Sequence, residues 1–149
     1  MAADMMASRA AAPAAADQPV ILVVEDEELI RLAAVEFLRF SDYQAVEAAN
    51  ADIAVAMLAS GMDVDLVFSD VRMPGRLDGF ELAEWASTHR PSVPVLLTSG
   101  YVGARYVDAA RGPRRLPPIL FKPYSFQGLL QKIDELLHPG PGKSMIGSS

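Results

Sequence analysis

Glu25, Asp26, Asp70, Thr98 and Lys122 stand at the ends of four apolar runs. Val20-Ile21-Leu22-Val23-Val24 leads into Glu25 and Asp26, and Val64-Asp65-Leu66-Val67-Phe68-Ser69 leads into Asp70. Val93–Leu97 leads into Thr98, and Ile119-Leu120-Phe121 leads into Lys122. If these runs are parallel strands of one open sheet, their carboxyl ends share the edge where such sheets bind ligands. Three carboxylates there suit magnesium, a hard cation that takes oxygen ligands and phosphate oxygens while keeping several waters. A hydroxyl and an amine suit the oxygens of a phosphoryl group. Without a cation the acids repel: two carboxylates ~4 Å apart at an effective dielectric near 20 cost about 4 kcal/mol before screening. A cluster so poor for stability points to function. One alternative stays open at this stage, that Asp26 caps the helix after it.

The elements that must position these residues alternate. The first strand, Val20–Val24, is followed by a helix from Glu27 to Phe40 with Ile30, Ala33, Ala34 and Phe37 on its apolar face. A short strand over Tyr43–Glu47, polar enough for a sheet edge, precedes a helix capped by Asn50 and ended by Gly61. The third strand is Leu66–Ser69. After Asp70 comes the loop Val71-Arg72-Met73-Pro74-Gly75-Arg76-Leu77, and Asp78 with Glu81 forms a capping box for the third helix. Val93–Leu97 is the fourth strand, followed by a short fourth helix over Val102–Ala110. Ile119–Phe121 is the fifth strand. A fifth helix after Ser125 carries the stripe Phe126, Leu129, Leu130, Ile133, Leu136, Leu137. Five alternating pairs imply an α/β fold: a doubly wound parallel sheet covered by helices on both faces. The flavodoxin-like (βα)5 order 2-1-3-4-5 places strands 1 and 3 together at the switch point, which gathers Glu25, Asp26 and Asp70.

Composition narrows the alternatives. The 149 residues suit one domain with a full core. A formal charge of −6 argues against a general nucleic-acid-binding surface. The absence of cysteine excludes disulfides, zinc–thiolate sites and cysteine nucleophiles. No apolar stretch is long enough for a membrane helix, and a cytoplasmic protein is the simplest fit. Residues 1–18, rich in Ala, and residues 139–149 read as disordered tails around one domain at 19–138.

The segments ILVVEDEE, LVFSDVRMPG with the later LDGFEL, VLLTSG and FKPY resemble the receiver domains of two-component response regulators. The likeness covers about Val20 to Leu137. It implies that Asp70 accepts a phosphoryl group from a histidine kinase phosphohistidine or a histidine phosphotransfer protein. It further implies that Asp26 and Asp70 bind Mg2+ or Mn2+ directly, that Glu25 helps through water, and that the backbone carbonyl of Arg72 adds a ligand. Thr98 then bonds the phosphoryl oxygen and Lys122 pairs with it. The resemblance also implies a cis Lys122–Pro123 bond.

Three features depart from the family pattern. Ile119 stands where many receivers carry the aromatic switch residue. Tyr101, in the segment Thr98-Ser99-Gly100-Tyr101 of some single-domain receivers, is a candidate substitute. The loop Pro74-Gly75-Arg76-Leu77-Asp78-Gly79 is one residue longer than the common form. The basic stretch Arg111-Gly112-Pro113-Arg114-Arg115 is either a docking site for an acidic partner or a solvated loop. No DNA-binding segment follows residue 138. The expected function is therefore a stand-alone receiver that is not an enzyme in its own right and that switches an unknown downstream protein. A weak homodimer is compatible with this. The alternatives are a phosphate sink, a relay intermediate, or a receiver fragment of a hybrid kinase. A dehalogenase-type phosphatase would need a second Asp where Arg72 stands, and no phosphate-binding P-loop motif occurs.

Overall fold

The computed structural model describes residues 17–100 and 117–139. In chain order these contain β1 (Val20–Val24), α1 (Glu28–Phe40), β2 (Gln44–Ala48), α2 (Ala51–Ala59), β3 (Leu66–Asp70), α3 (Gly79–His89), β4 (Val95–Ser99), β5 (Ile119–Phe121) and α4 (Phe126–Leu137). The expected helix over Val102–Ala110, Tyr101 and the Arg111–Arg115 stretch lie outside the described residues. All strand pairs are parallel, in the order β2-β1-β3-β4-β5. This is the expected flavodoxin-like arrangement.

Each central strand buries side chains on both faces, which is why its sequence is continuously apolar rather than alternating. Ile21, Val23, Leu66, Phe68 and Leu96 pack with Ala34, Val35 and Leu38 of α1 and with Leu129 and Ile133 of α4. Leu22, Val24, Val67, Val95 and Leu97 pack with Ala51, Ala54 and Leu58 of α2 and with Leu82, Ala83 and Ala86 of α3. The ends of the helices follow local chemistry. Asn50 accepts the Ile53 N–H at 2.8 Å, Ser125 accepts the Gly128 N–H at 2.9 Å, and Asp78 and Glu81 bond reciprocally. After α2 the chain turns at Gly61 with φ +88, a conformation that favours glycine.

Two expectations need correction. The inward face of α1 is Ala34, Val35 and Leu38, whereas Ile30 and Ala33 are exposed. Arg31 completes this face at the same 3-4-7 spacing, and its charge hides the stripe from a count of apolar residues. β4 begins at Val95 rather than Val93, because the Val93 N–H closes a turn onto the Arg90 carbonyl and Pro94 has no N–H to give.

Candidate functional site

Strand register puts the chemistry-bearing residues on one edge. Val24 lies opposite Ser69, Asp70 opposite Thr98, and Ser99 opposite Phe121, so Glu25, Asp70, Thr98 and Lys122 emerge side by side. Ladder bonds continue past the strands: the Val71 N–H donates to the Thr98 carbonyl at 3.0 Å and the Lys122 N–H to the Ser99 carbonyl at 3.0 Å. The Lys122–Pro123 bond is cis.

Carboxylate oxygens of Glu25, Asp26 and Asp70 lie within 4.8 Å of one another. Glu25 is buried, Asp70 half-buried and Asp26 exposed. Asp26 does not cap α1; Glu27 occupies that position without a side-chain cap bond. Glu25 turns its own carboxylate back to accept the Glu27 N–H at 3.0 Å. Burial pushes the Glu25 carboxyl up to about 7, and the charge of Asp70 and a hydrogen bond with Asp26 push the same way, against the Glu27 N–H bond and Lys122. Lys122 Nζ reaches Asp70 Oδ2 at 3.4 Å. Burial, with the negative charges of Glu25 and Asp70 nearby, also raises the Tyr124 phenol. The Tyr124 ring packs edge-on against Phe68 at 6.0 Å.

Thr98 is buried, and its hydroxyl has no hydrogen-bond partner among the described residues. A buried hydroxyl left unpaired costs about 1–3 kcal/mol, so it marks a place where a partner is missing. The donor set around Asp70 is all oxygen, one of its acids is hard to ionise, and an orphaned hydroxyl stands across the ladder. These features suit a hard divalent cation and an oxyanion.

The loop from Val71 to Asp78 frames this edge. The Gly79 N–H donates to the Val71 carbonyl at 2.8 Å, and the Arg76 N–H donates to Asp52 Oδ2 of α2 at 3.1 Å. Gly75 turns the loop at φ +114. Arg72 is exposed two residues past Asp70, and Ile119 is half-buried against the α2–α3 side of the core. His89 stacks on Trp85 at 4.5 Å at the end of α3, and His138 bonds Asp134 at 3.2 Å, both away from this edge. Sequence reasoning missed Arg31 and Asp52 as neighbours of the site, and it quoted Gly79 and Tyr124 only within motifs. Only Arg31 left a signal, a charged residue in register with the buried face of α1.

Comparison with known proteins agrees with this geometry. The family model described as "Response regulator receiver domain" matches residues 21–134. The response regulator protein FleR of Pseudomonas aeruginosa is 34% identical over 114 residues, covering 76% of this chain and 23% of that protein. The transcriptional regulatory protein PdtaR of Mycobacterium tuberculosis is 32% identical over 114 residues, covering 76% of this chain and 54% of that protein. This chain therefore spans a quarter to a half of these relatives. Among solved structures, the response regulator protein TrrA of Thermotoga maritima, in complex with Mg(2+)-BeF, is 29% identical with a TM-score of 0.68, covering 80% of this chain and 100% of that one. Families of this kind bind Mg2+ at acidic residues, and no helix among the described residues is long and apolar enough to cross a membrane. With the family matched over nearly all the described residues and the acid cluster at its switch point, the chain belongs to the response regulator receiver domains.

Proposed function

We propose that Asp70 accepts a phosphoryl group from a phosphohistidine of a sensor histidine kinase or histidine phosphotransfer protein, and that the new charge switches a downstream protein by contact. A carboxylate oxygen of Asp70 attacks phosphorus, the phosphorus–nitrogen bond breaks, and its electron pair returns to the histidine nitrogen. Lys122, already paired with Asp70, offsets the charge on the incoming group. Glu25, Asp26, Asp70 and the Arg72 carbonyl would hold Mg2+ or Mn2+, which neutralises charge on the phosphoryl oxygens. Thr98, Tyr101 and Ile119 are the switch positions in this reading. The unit is residues 19–138, working in the cytoplasm and promoting phosphorylation and hydrolysis at its own Asp70 rather than turning over a separate substrate. The observation that carries the reading is the buried Thr98 hydroxyl, without a partner among the described residues and directly across the ladder from Asp70. The test is incubation with acetyl phosphate, with and without Mg2+, followed by intact mass. Wild type is expected to gain one phosphoryl group only with Mg2+, and Asp70→Asn none; equal gain by the variant overturns the reading.

Thr98→Val checks the orphaned hydroxyl separately. The substitution keeps the shape and removes an unpaired polar group, so unphosphorylated protein should be unchanged or more stable by up to about 1 kcal/mol in denaturant unfolding. A loss of that size instead would mean that the hydroxyl is already bonded.

A further inference from the structure

Three carboxylates crowded at a strand edge do not stay in place unaided, because repulsion drives them apart. Asp70 is held by β3 and by Lys122. Glu25 and Asp26 lie past the end of β1, in the short turn before α1, where no ladder continues on both sides. Glu25 is nevertheless fixed at each polar group. Its N–H donates to the Ala48 carbonyl at 3.1 Å, and its side chain accepts the Glu27 N–H at 3.0 Å. Its carbonyl accepts from Arg31 Nη1 at 2.8 Å.

Arg31 lies one turn into α1, on the helix face that meets the sheet. Its guanidinium cannot shed its charge, so on that face it needs acceptors. Glu47 of β2 supplies one, with Arg31 Nε to Glu47 Oε1 at 2.8 Å, and the Glu25 carbonyl supplies the other. The rigid fork thus ties α1, the edge strand and the acidic turn at one point, with only 15% of the Arg31 side chain exposed.

We propose that Arg31 is a positioning residue for cation binding: by clamping the Glu25 carbonyl against Glu47, it holds the Glu25–Asp26 turn in register with Asp70. The inference rests on the cation site of the proposed function. Its expected sign is opposite to that of simple electrostatics. Deleting a positive charge near an acidic site should tighten cation binding. Losing a clamp that orients ligands should weaken it, and outer-sphere partners of ligands are typically worth 10–100-fold in affinity.

The experiment is calorimetric titration of the full chain with Mg2+ and with Mn2+, using wild type, Arg31→Gln and Arg31→Lys, with thermal melts in parallel. Both variants are expected to bind roughly 10-fold more weakly than wild type, the lower end of that range. Arg31→Lys keeps the charge and the apolar stem, so it remains informative should Arg31→Gln fail to fold. Affinity in folded Arg31→Lys equal to wild type, or tighter binding by Arg31→Gln, overturns the proposal. Absence of cation binding by wild type itself would instead remove the proposed function on which it stands.

Discussion

Lys122→Ala is expected to slow phosphorylation of Asp70 by acetyl phosphate by about 10²–10³-fold, the usual cost of removing one preorganised donor from a charged transition state. Lys122 is preorganised in this way, with its backbone tied to Ser99 and its amine 3.4 Å from Asp70 Oδ2. The same variant should change the unphosphorylated, metal-free protein. Lys122 is one of the influences that lower the Glu25 carboxyl, which already stands at about 7 against an ordinary 4.5. A carboxyl whose folded value is raised contributes stability fully present below the unfolded value and lost as pH rises through the folded one. Metal-free protein should therefore lose thermal stability between about pH 4.5 and 7, with the loss reaching higher pH in Lys122→Ala. Intact-mass time courses read the first effect, and melts across pH read the second. A variant phosphorylated at the wild-type rate would remove Lys122 from the chemistry.

Gly79→Ala should be costly although it replaces a poor helix former with the best one. A β carbon at Gly79 would overlap the carbonyl oxygen of Asp70 and stand 2.8 Å from Val71 Cα. Both obstacles are backbone, which cannot rotate aside like a side chain. The gain in helix propensity, at most about 1 kcal/mol and less at the first position of a helix, is opposed by overpacking of about 1–3 kcal/mol. The strain falls on the Asp70–Val71 peptide, so Asp70 and the adjoining loop must move together. The expected outcome is a lower unfolding midpoint in urea and a markedly slower mass gain with acetyl phosphate. Wild-type values in both assays would show that α3 does not press on Asp70.

The same contrast between local and distant causes explains which features are legible in the sequence. Strand positions are visible because each central strand is buried on both faces and so is continuously apolar. The caps at Asn50 and Asp78 are visible because each bonds an amide three residues away. The apolar face of α1 is misplaced by one position because Arg31 occupies it. A guanidinium belongs there only if Glu47, sixteen residues on, and the Glu25 carbonyl come to meet it. Gly79 likewise reads as an ordinary glycine at a helix start until β3 is set against it.

By itself the sequence determined the alternation of strands and helices, the family, and the five polar residues that end the strands, since all of these are written in local pattern and motif. Only the tertiary structure decided that those residues share one edge, that Asp26 is free of helix capping, that Glu25 is buried and hard to ionise, and that the Thr98 hydroxyl has no partner among the described residues. The physical reason is distance along the chain. Asp70 and Lys122 are 52 residues apart, and their encounter depends on register between strands, which no local pattern records.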